Sequence, residues 1–97
     1  MTDSTPPSDD RAATLILFVA GDSPRSRRAR ERLRKSLAAH GRDPDGYREI
    51  DLLKHPESII EHRVFAAPTL LHCTPGGEPE TLYGDLADSG QLSRILG

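Results

Sequence analysis

The run Leu15-Ile16-Leu17-Phe18-Val19-Ala20 leaves the chain few ways to fold. A strand with one wet face would alternate apolar and polar residues; an unbroken apolar run reads as a strand covered on both faces. Gly21-Asp22 then turns the chain, and Ser23-Pro24 opens a helix. Serine suits the N-cap, and proline suits the first helical position, where a missing N–H costs nothing. A two-sided strand feeding directly into a helix needs neighbouring strands and a layer above and below. That places the chain among the α/β folds.

The spacing predicts a first helix from Pro24 to about Ala39. Ala29, Leu33 and Leu37 recur every four residues, with Ser26 and Ser36 on the same side, and Gly41 supplies the stop. Tyr47 to Leu52 reads as a second strand, parallel to the first across a right-handed crossover. Pro56 begins a short helix through about His62, with Ile59 and Ile60 as its apolar contact. Thr69–Cys73 and Glu80–Tyr83 form a hairpin around Pro75-Gly76-Gly77. Residues 89–96 form a last helix, with Asp88 and Gln91 as a capping box and Leu92, Ile95 and Leu96 facing inward. The first strand is expected to span about 14–20.

Ninety-seven residues suffice for one domain. Residues 1–12 are polar and carry Pro6-Pro7, so a disordered tail is expected there and a folded domain over 13–97. The N-terminus lacks the basic start and apolar stretch of a secretion signal, and no apolar run approaches membrane-spanning length. One cysteine, Cys73, excludes an intramolecular disulfide and suits a reducing compartment; it reads as a small buried hydrophobe. A cytoplasmic protein is expected. A net charge of −2 argues for neither nucleic acid nor membrane.

The order βαβαββα, with a mixed four-stranded sheet in three layers, resembles the thioredoxin fold. Redox members of that fold carry Cys-x-x-Cys in the first turn; here the positions hold Ser23-Pro24-Arg25-Ser26. A serine hydroxyl cannot cycle through a disulfide, so Ser23 and Pro24 read as structural caps and no catalytic residue is assigned. Pro68, within Ala66-Ala67-Pro68-Thr69, stands where the fold keeps a cis proline at the floor of its groove. His40, His55, His62 and His72 are scattered and read as solvated or capping side chains, with no metal or cofactor implied. Arg25, Arg27, Arg28, Arg30, Arg32, Arg34 and Lys35 crowd the first helix. A solvated face is the plain reading. With Asp51, Glu57, Glu61, Glu78 and Glu80 elsewhere, a dipolar domain suited to docking on an acidic protein is the sharper one. Nucleic-acid binding through this helix is disfavoured, because four aromatic residues are few for base stacking.

Five stretches together resemble the circadian clock protein family KaiB. They are Leu17-Phe18-Val19-Ala20-Gly21; Pro24 with Ser26; Ile50-Asp51-Leu52-Leu53-Lys54 with Pro56; Ala66-Ala67-Pro68-Thr69-Leu70; and Gly84-Asp85-Leu86. The resemblance implies a non-enzymatic protein that binds a KaiC-type ATPase ring and modulates its phosphorylation cycle. KaiA or a clock sensor histidine kinase are the further partners it implies. The family switches fold, between a tetramer with a different second half and a thioredoxin-like monomer that binds KaiC. Where the family tends to carry Gly and Asp near its end, this chain has Ile95 and Gly97. Isoleucine is the better helix former by roughly 0.5 kcal/mol. Pro75-Gly76-Gly77 likewise suits a hairpin. A thioredoxin-like monomer is therefore expected, with the tetrameric fold as the alternative. Arg28, Arg48 and Arg63 stand where the family is basic and are candidate contacts to an acidic surface. A thioredoxin- or glutathione-type enzyme lacking its cysteines is the competing function.

Overall fold

The computed structural model describes residues 14–74, 76 and 78–96. The expected tail over 1–12, the turn positions Pro75 and Gly77, and Gly97 lie outside the described residues. The elements run β1 (Thr14–Val19), α1 (Pro24–Ala39), β2 (Arg48–Asp51), α2 (Glu57–His62), β3 (Thr69–Cys73), β4 (Glu80–Tyr83) and α3 (Ser89–Leu96). This is the expected βαβαββα order. The hairpin and terminal helix belong to the thioredoxin-like arrangement rather than to the alternative.

The four strands form one sheet in the order β2-β1-β3-β4. β1 pairs parallel with β2, Ile16 opposite Arg48, and antiparallel with β3, Leu17 opposite Leu70. Its apolar run is divided between two cores. Leu15, Leu17 and Val19 pack with Ala29, Leu33 and Leu37 of α1 and with Leu92, Ile95 and Leu96 of α3. Ile16 and Phe18 point the other way, into a smaller cluster with Leu52, Val64 and Leu71. Two helices thus cover one face and α2 the other, which is why the stretch Leu15–Val19 holds no polar residue.

α1 ends as its sequence requires. Gly41 takes the left-handed conformation at φ 71° and donates to Ala38 O, while Arg42 N–H reaches back to Leu37 O at 2.8 Å. These paired backbone bonds satisfy carbonyls that the helix end would leave open. At the far terminus, Asp88 Oδ1 accepts from Gln91 N–H at 3.1 Å and caps α3.

Several expectations need correction. β2 is shorter than Tyr47–Leu52; those two residues leave the ladder but still pack, and Leu52 N–H donates to Val19 O at 2.8 Å. α2 buries Ile59 in part and leaves Ile60 81% exposed. Neighbouring residues on a helix point about 100° apart, and a helix under two turns long has one contact side. That side carries His62, whose ring lies 5.2 Å from the ring of Phe18. His62 is therefore a packing residue rather than a solvated one, and so is buried His72. His40 does cap, its ring Nδ1 lying 2.8 Å from Ser36 O. Cys73 is only partly buried: at the last position of β3 it packs against the smaller core and lines an open cavity with Glu61 and His62 of α2.

Among the described residues, no helix is long and apolar enough to cross a membrane. The layering makes an energetic contrast. Leu33→Ala, at a fully buried position, is expected to lower unfolding free energy by about 2–5 kcal/mol. Ile60→Ser should change it by no more than about 0.5 kcal/mol. Urea denaturation of both variants measures the difference.

Candidate partner-binding surface

Parallel β1 and β2 both end at one edge of the sheet, where antiparallel β3 begins and β4 finishes. The connections at that edge carry the motifs read from the sequence. The first is the turn into α1. Ser23 Oγ accepts from Ser26 N–H at 3.2 Å, as an N-cap should, and lies 2.9 Å from Ser26 Oγ. Ser26, fully buried, accepts in turn from Ala20 N–H at 3.1 Å. The two positions that hold redox cysteines in thioredoxins here hold each other and the end of β1. Both hydroxyls are occupied by structure, and neither sulfur chemistry nor an activated nucleophile is built into the turn. Pro24 occupies the first helical position as expected.

Asp51 ties this turn to the end of β2. Its Oδ1 accepts from Gly21 N–H at 3.0 Å and from Leu53 N–H at 2.9 Å. The Gly21 and Leu53 amides hold the Asp51 carboxyl below its ordinary range. Gly21 itself needs to be glycine. Its φ is 60°, and a Cβ there would stand 3.2 Å from Leu53 Cδ1. Beside it, the Ala67–Pro68 bond is cis, Pro68 is buried, and Pro68 O accepts from Gly84 N–H at 3.0 Å.

The three candidate arginines do not converge. Arg48 is exposed on β2, beside a shallow cavity of about 280 Å³ that it shares with Ile50, His55, Ser58, Glu61 and His62. Arg63 follows α2 in the left-handed conformation, φ 56°. It lines a neighbouring cavity of about 410 Å³ with His62, Leu71, Cys73, Pro79 and Thr81. Glu61 and His62 border both cavities, so Arg48 and Arg63 flank the same helix. Arg28 lies on α1, across the sheet. Its Nε is 3.2 Å from Asp85 Oδ2.

The basic helix is not one pole of a dipole. Arg28 and Arg32 share Asp85, Arg30 meets Glu49 at 2.8 Å and Asp22 at 3.4 Å, and Arg34 pairs with Asp45. Four acids thus pair with Arg28, Arg30, Arg32 and Arg34, leaving Arg25, Arg27 and Lys35 outside the ion pairs among the described residues. This arrangement weakens the argument for phosphate recognition by that face.

What the sequence did not signal is the apolar surface. Leu53, Ile60, Phe65 and Tyr83 are each at least 65% exposed. Three of them bracket or ride on α2. Exposed apolar side chains of this size along one short element make that face a candidate interaction surface. Periodicity could not find them, because each lies in an apolar segment that looks like core. The one available sign was α2's brevity, since six residues cannot bury every apolar side chain around them.

The chain is similar to known proteins in family, sequence and fold. A family model described as KaiB domain matches residues 16–97. The circadian clock oscillator protein KaiB of Parasynechococcus marenigrum (strain WH8102) is 38% identical over 74 residues, covering 76% of this chain and 70% of that protein. Its namesake from Prochlorococcus marinus (strain MIT 9303) is also 38% identical over 74 residues; the match spans 61% of that relative's length. Among solved structures, the N-terminal domain of Synechococcus elongatus SasA superposes with a TM-score of 0.70 at 25% identity, covering 99% of this chain and 90% of the domain. Mitochondrial thioredoxin 3 from Saccharomyces cerevisiae superposes equally well, TM-score 0.70, at 18% identity over 91% of this chain and 82% of its own; that likeness concerns the fold alone.

Acid should loosen both ends of the sheet, Asp51 and Asp85 at the edge described above and Glu80 at the opposite end, across from His72. Asp51, Glu80 and Asp85 all titrate below their ordinary range: Asp51 through backbone amides, Glu80 chiefly through Arg94, Asp85 chiefly through Arg28. The unfolded chain therefore takes up protons first. The stability these groups contribute is complete above the ordinary carboxylate value of about 4 and is lost as pH falls through the lower folded values. Thermal unfolding followed from pH 7 to pH 2 should show this fall, and Asp51→Asn should make it shallower.

Proposed function

The chain belongs to the KaiB domain family, and from that premise we propose that it is a non-enzymatic clock or signalling protein of the cytoplasm that docks on a KaiC-type ATPase ring and modulates its phosphorylation cycle. The observation that carries the reading is the surroundings of α2: exposed Leu53, Ile60 and Phe65 stand before, on and after the helix, and Arg48 and Arg63 line the two cavities that Glu61 and His62 border. Apolar side chains supply the desolvated centre of such an interface, and the arginines supply orientation against an acidic partner. A second clock component of the KaiA type, or a sensor histidine kinase, is the further partner this reading allows. The likeness to the SasA domain supports it, since that domain shares this chain's architecture.

Ile95 supports the same reading from the other side of the molecule. It is 7% exposed and packs with Leu92 and Leu96 beneath the sheet. In our reading it biases the chain toward the thioredoxin-like arrangement and so keeps the α2 surface assembled. Arg28 is a subordinate contact, because Asp85 already engages it.

Pull-down and titration against the KaiC-type ATPase encoded nearest to this protein test the proposal. The double variant Arg48→Glu/Arg63→Glu should weaken binding at least about tenfold, equivalent to about 1.4 kcal/mol. Ile60→Ser should weaken it while leaving the unfolding midpoint in place. Undiminished binding by both variants would remove the α2 surface as the docking site.

A further inference from the structure

Two strands border the sheet, β2 and β4, and each leaves one side of its backbone without a strand partner. Along β2 stand exposed Arg48 and Glu49. Charges of that kind on an edge discourage a further strand. β4 carries one charge, Glu80, and Arg94 already holds it at 3.0 Å. The pairing with β3 fixes which way the β4 amides point. Gly84 N–H donates to Pro68 O, and Leu82 stands opposite Leu70. Hydrogen-bonded positions alternate along an antiparallel ladder. Glu80, Leu82 and Gly84 therefore bond inward, and Thr81 and Tyr83 turn their N–H and C=O groups away from the sheet.

This outward edge ends at a cavity of about 230 Å³. Arg25 of α1 lines it beside Gly84, its Nη2 standing 3.5 Å from where a Cβ on Gly84 would be. Glycine at φ 97° keeps that approach open. Among the described residues Arg25 enters no ion pair. The two carboxylates in the same wall are engaged, Asp85 by Arg28 and Arg32, and Asp88 by the Gln91 N–H. The uncommitted charge of the cavity is thus a cation. Tyr83 also lines it and is 65% exposed.

We propose that the β4 edge is a further docking surface: it takes up an extended peptide segment as an added strand, with an acidic side chain of that segment seated against Arg25. Backbone bonds to Thr81 and Tyr83 supply a grip that is indifferent to sequence, and the Arg25 cavity selects the carboxylate. Tyr83 adds apolar contact where the two meet. The proposal stands apart from the reading of α2, since it needs neither Arg48 nor Arg63.

Titration of the full chain with acetyl-Glu-Val-Thr-Val-Thr-Val-Glu-amide, followed by amide NMR, tests the edge. This peptide offers Arg25 a carboxylate in either strand direction. The Thr81 and Tyr83 amides should shift on binding, while those of Glu49 and Asp51 on β2 stay in place. Replacing both glutamates of the peptide by glutamine, or Arg25→Ala in the protein, should weaken binding at least about tenfold. Lys35→Ala removes an exposed cation elsewhere on α1 and should leave the affinity within about twofold. Thr81→Pro should abolish binding without unfolding the chain, because the lost N–H faces away from β3. If Thr81→Pro does not fold, the glutamine peptide and Arg25→Ala decide alone. Equal affinity for the two peptides, or no shift at Thr81 and Tyr83, would overturn the proposal. So would a concentration-dependent shift of those two amides without peptide, which would mark the edge as a contact between copies of this chain.

Discussion

Everything in this molecule hangs from β1. Among the described residues it is the only strand with a partner on each edge that also presents five consecutive buried side chains, Leu15 to Val19, alternately to two cores. Each buried apolar side chain of that size contributes about 1.5–3 kcal/mol when withdrawn from water. The parallel pairing with β2 requires the crossover through α1, and the antiparallel pairing with β3 requires the return past Pro68. The turn at its end is where the two sides of the fold meet. Ser23, Ser26, Ala20, Gly21 and Asp51 form one hydrogen-bonded knot there, so the first helix and the second strand leave β1 in fixed directions.

Sequence reasoning reached this frame because its signals are strong and local. A continuous apolar run, a serine–proline helix start and a glycine stop each have one dominant physical reading, and the observed caps match them. It failed where three-dimensional context decides. Ile59 and Ile60 are equivalent in composition, yet one packs and the other meets water, because helix phase and the position of the sheet are tertiary facts. His62 and His72 looked polar and incidental; one lies against Phe18, the other is buried 3.6 Å from Glu80. The arginines of α1 looked like a free basic face until the folded chain brought Asp22, Asp45, Glu49 and Asp85 against them. Those acids lie far along the chain from some of their partners, and no short-range pattern announces such pairs.

The replacement of a dithiol by two serines has a structural rationale beyond loss of redox chemistry. A thiol pair must stay reactive and therefore accessible to exchange. Ser26 is fully buried and spends its oxygen on the backbone of β1. The turn has become part of the scaffold, and the groove beside it is released from serving chemistry. In the proposed function, specificity would fall to the surroundings of α2, where exposed Ile60 stands beside Glu57, Glu61 and Arg63.

The two faces of the sheet are unequally roofed: sixteen and eight helical residues on one, six on the other. The thin side owes its cohesion to Ser58, Ile59, His62 and Val64 rather than to a continuous helical stripe. Segments with so few buried contacts open at low free energy while the remainder stays native. A protease acting on the folded protein would therefore make its first cut between Leu53 and Phe65, leaving a nicked chain whose larger core persists. The surface proposed for recognition would then also be the one most easily lost to turnover, and a partner bound there would shield it.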